Sequence, residues 1–429
     1  VTQPELLAHH YTEAGLQAHA LPYWHQAGQR AIARSAYVEA RQHLTTGLEV
    51  LATVPETPAR HQHELDLLTA LGLVLGVTRG QAAPELEPVL TRAEALAQQD
   101  GEPSQRFAVL GALWTFRNVR AELQAAQAVA EQFLDLAQGQ HDPTQLLGAH
   151  YSLGVTLANS GALAPGRTHL EQGIALSDPQ RHATPHTIPG AMRNYGVSCR
   201  ALVAWVLWDL GYPDQAVQRS QEALTMAHAL ARPFDLVEAL RLSAQLHARR
   251  REWQTVQAHA EATLAMATEH RFARYVALGT FFRGWALAAQ DQGAEGIAQM
   301  RRGLDAWRAT GTALGILEAL VRLAEAYGQV GQVDEGFRLL AEALAMVDTT
   351  AGRRHAPELH RLHGEMLLRQ TIPEVQAAEA CFQQALAVSR RLQARSWELR
   401  AAMSLARMWQ AQGKRAAARV LLAPIYVWR

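Results

Sequence analysis

The sequence predicts an all-α fold, a solenoid of about ten stacked helical hairpins, and three observations predict it. Small residues at Ala244, Gly284, Ala324 and Gly364 recur every 40 residues, and a fixed period of this size marks a stack of helical repeats. Each anchor is followed by a turn and then a second helix with alanine or glycine at core spacing. Runs alternating Val, Ile or Thr between turn residues are absent, so no strand is expected.

The elements follow in order. A first helix is expected near residues 4–14, with hairpins from about residue 20 onward. Leu71-Gly72 and Leu110-Gly111 mark two early units. Leu153-Gly154, Leu157, Gly161, Gly166, Leu170 and Gly173 give a fuller one, as do Val203-Ala204, Leu207, Gly211, Ala216 and Ala223. The clearest is residues 313–348. There Leu320, Leu323, Ala324 and Tyr327 share a helix face, and Gly331 ends that helix at a site needing φ > 0. Asp334 and Glu335 begin the next helix, where carboxylates suit the helix dipole. Leu405-Ala406, Trp409, Gly413, Ala418 and Leu422 close the series. These offsets match the tetratricopeptide pattern, whose usual period is about 34 residues. The expected architecture is therefore a right-handed superhelical solenoid with lengthened helices, loops or both.

One interval departs from the period. Gly154 to Ala204 spans 50 residues, and the excess lies in the proline-containing segment 178–190. The expected organisation is an N-terminal helical-repeat arm at 1–177, a loop and candidate hinge at 178–190, and a C-terminal arm at 191–429. A plain surface insertion is the alternative reading of that loop.

Composition excludes several classes. Lysine plus arginine number 40 and aspartate plus glutamate 40, so no net field favours nucleic acid or an anionic membrane. No apolar run reaches the roughly 18 residues of a membrane span. Cys199 and Cys381 fall in separate repeats, which argues against a disulfide framework and fits a reducing, cytoplasmic setting. No secretory leader is visible, and both ends read as cut from a longer protein.

Catalytic motifs fail on inspection. The single lysine, Lys414, follows Gly413 but precedes Arg415 and lacks the glycine of a phosphate-binding loop. Gly196-Val197-Ser198-Cys199-Arg200 lacks the final glycine of a nucleophile elbow. His63-Glu64 meets Leu67 where a zinc helix needs histidine, and His355, His360 and His363 lack a further ligand in register. Carboxylates such as Glu49 and Glu94 read as solvated, with no apolar pair that would shift a pKa. No catalytic, metal or cofactor residue is assigned, and no enzyme is expected.

Binding surfaces in helical stacks lie on the first helix of each pair. Taking Leu323 and Ala324 as buried puts Arg322, Glu325 and Gln329 on the opposite, groove-facing stripe. The same mapping selects Asn159, Trp205, Trp208 and Arg407, giving a candidate partner-binding groove without net charge. Tryptophan and arginine are typical interaction hot spots. The competing reading packs Trp205 and Trp208 into the core and leaves Arg322 and Arg407 solvated.

Several stretches carry a family resemblance. They are Pro4-Glu5-Leu6-Leu7-Ala8-His9-His10-Tyr11-Thr12-Glu13-Ala14-Gly15, then Tyr23-Trp24, Ala27-Gly28 and residues 35–40. The ending adds residues 378–387, Ser396-Trp397-Glu398-Leu399-Arg400-Ala401-Ala402, Gln412-Gly413-Lys414-Arg415 and residues 421–426. Together they resemble the C-terminal tetratricopeptide region of large bacterial signalling ATPases, often fused to a class III adenylate/guanylate cyclase. The resemblance implies a non-catalytic protein-interaction or regulatory arm gating an upstream ATPase or cyclase, with a protein partner. The alternative is a small-ligand sensor arm of a bacterial transcription activator, with Trp205 and Trp208 stacking the ligand.

Overall fold

The computed structural model describes residues 3–34, 36–178, 193–350 and 352–426. Among these residues the chain forms 21 α-helices and no strand. A leading helix, α1 (Pro4–Glu13), precedes ten pairs, as the sequence predicts. The described residues fall into two compact units. One holds residues up to Arg120 with Ala125–Gln145; the other holds Ala121–Gln124 and the described residues from Leu146 onward. The candidate hinge at 178–190 lies outside the described residues apart from Asp178.

The first unit contains α1, α2 (Gln17–Ala33), α3 (Tyr37–Leu51), α4 (Pro58–Thr78), α5 (Leu86–Asp100), α6 (Pro103–Val119) and α7 (Leu123–Gln140). Helix α4 begins where Thr57 accepts from the Arg60 amide and Pro58 needs no amide partner. Leu65, Leu68, Ala93, Leu96 and Val109 make one core, and Phe107 meets Phe133 at 4.2 Å.

The second unit begins with α8 (Pro143–Ser160) and α9 (Leu163–Leu176). It continues through α10 (Tyr195–Asp209), α11 (Pro213–Leu230), α12 (Pro233–Arg249), α13 (Trp253–Glu269), α14 (Ala273–Ala288) and α15 (Gly293–Ala309). It ends with α16 (Ile316–Gln329), α17 (Val333–Thr350), α18 (Ala356–Arg369), α19 (Val375–Arg391), α20 (Arg395–Ala411) and α21 (Arg415–Tyr426), with a 3₁₀ turn at Arg353–His355.

The 40-residue period has a simple structural origin. Helices such as α12 and α13 are 17 residues long, and each is closed by a short turn through a left-handed residue. Gly211, Arg251, Asp291 and Gly331, forty apart, all have positive φ, as do Ala231, Arg271 and Gly311 at the intervening turns. The extra length over the 34-residue unit therefore lies in the helices. Within each hairpin the small residues set the separation. A Cβ on Gly284 of α14 would stand 2.7 Å from the Gly296 carbonyl oxygen of α15.

The even-numbered helices of this unit touch in sequence from α10 to α20, and α10 also touches α20. Trp208 meets Trp397 at 5.0 Å, and the Ser396 hydroxyl donates to the Trp208 carbonyl. The stack thus closes on itself, and its even-numbered helices share one inner face.

Candidate binding surface on the inner helices

That inner face carries buried ion pairs, contrary to the expectation that the carboxylates are solvated and form no pair that would shift a pKa. Five arginines (Arg249, Arg322, Arg354, Arg361 and Arg400) meet five carboxylates (Asp209, Glu318, Glu325, Glu358 and Glu365). At one side Arg354 Nε donates to Asp209 Oδ2 at 2.6 Å. Arg249 Nη2 donates to Glu318 Oε1 at 3.0 Å, and Gln245 also donates to Glu318. At the other side Glu358 accepts from Arg322 (2.9 Å) and Arg361 (2.7 Å), and its Oε1 lies 2.7 Å from Arg400 Nη2.

The charges alter one another strongly. Burial alone would raise Glu358, but Arg361, Arg400 and Arg322 hold it well below the usual carboxylate range. Glu318 is likewise held low, against burial, by Arg249, His355, Arg322 and Arg354. Burial pulls Arg354 down to about 9 despite Asp209. His355 stays neutral well below its ordinary value, chiefly through burial. Such pairing is required, because an unpaired buried charge costs several kcal/mol, on the order of 3–5.

Tryptophans form the matrix around these ions. Arg354 sits 3.1 Å from the Trp205 ring centre, and Arg249 lies 5.1 Å from Trp205 and 5.8 Å from Trp208. Arg322 lies 5.1 Å from Trp285 and 5.5 Å from Trp397. Flat aromatic faces suit guanidinium groups because the ring quadrupole attracts the cation where water is excluded.

The candidate residues therefore separate. Trp205 and Trp208 are buried, each 6% exposed, and stack on arginines. Arg322 is 1% exposed, not solvated, because Glu358 and Glu325 neutralise it. Glu325 shares this cluster, and with Gln329 it lines an open pocket of about 510 Å³. That pocket also has Trp253 and Trp285 on its walls, with Arg251, Asp291 and Arg400 around them. Asn159 is half-buried on α8, away from the pocket lining. Arg407 is exposed on α20 and makes no hydrogen bond or ion pair among the described residues.

A second charged group lies at the opposite end of α12, and the sequence reading did not single it out. Glu238, Arg241, Gln245 and Arg249 recur on one stripe of that helix, about 16 Å long at 1.5 Å per residue. Arg241 makes two 3.0 Å bonds to Glu238, whose second neighbour Arg193 stands at 4.0 Å. Arg193 donates to the Tyr151 hydroxyl and lies 5.7 Å from the Phe234 ring centre. Glu238 is held at about 2; burial opposes this, but Arg241, Arg193 and Arg274 outweigh it.

No helix among the described residues is long and apolar enough to cross a membrane. No family model matches the chain. An uncharacterised protein of Rhizobium meliloti (strain 1021) is 25% identical over 363 residues, covering 83% of this chain. The match spans only 34% of that protein's length. Solved structures match more widely. A Rap protein complexed with competence and sporulation factor has a TM-score of 0.55 at 11% identity, covering 94% of this chain and 100% of that one. A Rap conjugation gene regulator of plasmid pLS20 in complex with the Phr* peptide has a TM-score of 0.54 at 12% identity, covering 87% and 96%. NprR in complex with its cognate peptide NprX has a TM-score of 0.51 at 12% identity, covering 76% and 89%. At such identities the likeness establishes the fold: a tetratricopeptide-like stack of helical hairpins.

Proposed function

We propose that this chain is a non-catalytic regulatory module that binds a polypeptide segment on the inner helices of its second unit. The observation that carries this reading is the pocket between α12, α14, α16 and α20. It is open, of about 510 Å³, walled by Trp253 and Trp285 and ringed by Arg251, Asp291, Glu325, Gln329 and Arg400. Aromatic walls with a charged rim are what a protein interface uses to anchor a side chain and orient a backbone. Two of the structurally similar proteins, a Rap regulator and NprR, were solved with peptides bound, which supports a polypeptide as the partner. The sequence resemblance supports a finer reading, in which the bound segment gates an upstream ATPase or nucleotide cyclase.

A small-ligand sensor is the second reading, and the pocket size favours it, since small-molecule sites span about 300–1,000 Å³. One selection separates the two. A displayed peptide library and a metabolite panel are screened on the whole chain, and hits are measured against Gln329→Trp. Gln329 is exposed on the pocket rim, so the larger ring fills the pocket without disturbing the core. The expected outcome is a peptide hit weakened at least about tenfold by the substitution, equivalent to about 1.4 kcal/mol. Metabolite binding alone would favour the sensor. Peptides that bind Gln329→Trp unchanged would rule out this pocket.

A further inference from the structure

The group of charges at the N-terminal end of α12 is unbalanced. Arg193, Arg232, Arg241 and Arg274 stand around two carboxylates, Asp235 and Glu238. Asp235 is already committed: Arg232 lies 3.2 Å from it, and it accepts from the Asn194 amide at 2.6 Å. Arg193 acts on Asp235 as well as on Glu238, which also faces Arg241 and Arg274, so two carboxylates answer four guanidinium groups.

Arg274 is the least satisfied of the three around Glu238. Its Nε is buried and has no hydrogen-bond partner among the described residues. Burial lowers its pKa, and repulsion from Arg241 and Arg193 adds to that. Tyr151, Tyr195 and Tyr275 surround the same group, with burial pushing each phenol above its ordinary range. They are hydroxyl donors that stay neutral. Residues 179–192, which precede Arg193, include no aspartate or glutamate. Access exists, since the Arg193 side chain is 16% exposed and that of Arg241 13%.

Positive charge held under partial burial with an unused donor has one direct chemical complement, an oxyanion. Arginine forks are matched to carboxylate and phosphate geometry and bind them through paired hydrogen bonds. The stripe on α12 joins this group to the polypeptide pocket described above. We propose that Arg193, Arg241 and Arg274 form an oxyanion site that takes a carboxylate of an acidic polypeptide segment. This assignment rests on the reading of the inner helices as a polypeptide-binding surface.

The test is calorimetric titration of the whole chain with three probes. They are inorganic phosphate, a six-residue peptide alternating alanine with glutamate, and its glutamine counterpart. The glutamate peptide should bind in preference to the glutamine peptide, and more weakly as salt rises. Arg274→Gln should lower that affinity about tenfold, the scale of one charge-assisted hydrogen bond. Arg274→Lys, which keeps charge and loses the fork, should fall between. Arg302→Gln, at a side chain 62% exposed, should stay within about twofold of the parent, as expected for a surface charge. A thermal melt accompanies each variant, so loss of binding is read only from folded protein. Equal binding of the glutamate and glutamine peptides overturns the proposal, as does unchanged affinity in folded Arg274→Gln. Phosphate binding that needs Arg274, without peptide binding, overturns the assignment to a polypeptide. Library peptides that bind the pocket but ignore Arg274→Gln leave the module reading standing and remove only the oxyanion site.

Discussion

The two ends of the inner stripe on α12 use the same side chains to opposite effect. At Arg249 the stripe enters a group of five arginines and five carboxylates packed among tryptophans. At Glu238 it enters a group in which four arginines share two carboxylates. The first is a closed account of charge and joins α10, α12, α16, α18 and α20. The second retains positive charge; buried donors without a hydrogen-bond partner among the described residues occur at both ends, on Arg274 here and on Arg249, Arg322 and Arg354 there. Burial of arginine alone therefore says little. Charge balance decides whether a group holds helices in register or waits for a ligand.

The comparison breaks most readily at Glu358. It is 1% exposed and meets Arg322, Arg361 and Arg400, so Glu358→Gln leaves three guanidinium groups with only Glu325 and Glu365 between them. Removing one partner of a buried pair costs about 3–5 kcal/mol. Urea denaturation should show that loss. Arg274→Gln relieves repulsion and should leave the midpoint unchanged or slightly raised. Equal destabilisation by the two substitutions would erase the distinction between the ends.

Acid is the next lever. His355 is held neutral well below 6.5, first by burial, and His150 is lowered to about 4 by burial and by His169. The unfolded chain protonates its histidines near 6.5, so between about 4 and 6.5 it binds more protons than the folded chain. Stability should therefore fall as pH drops from 7 to 5. Below about 4.5 the depressed Glu318 and Glu358 add to the loss in the same direction. A melting temperature flat from pH 7 to 5 would mean that these histidines are solvated.

Much of the fold was legible because it repeats. Leu320, Leu323, Ala324 and Tyr327 are 0–3% exposed, and Gly331 has φ 82°, as their spacing requires. The charged inner face was not legible, because its pairs are remote in sequence. Asp209 and Arg354 are 145 residues apart, and Arg249 and Glu318 are 69 apart. A period shows which face of a helix is buried, not which charge stands opposite across the closed stack. One signal was present. Asp209 ends the apolar run of α10, and Arg322 interrupts α16 between Val321 and Leu323. A charge inside a helix that is apolar all round needs a buried partner.

The claim that the Glu238 end binds an acidic segment is tested most directly by two substitutions of opposite sign. The affinity of the glutamate peptide is measured for Glu238→Gln and Arg274→Gln side by side. Removing the internal carboxylate frees Arg193 and Arg241 for the ligand, so the first should bind several-fold tighter while the second binds about tenfold weaker, a difference set by the bonds gained and lost. Weakening by both, or a response from neither, would contradict the account.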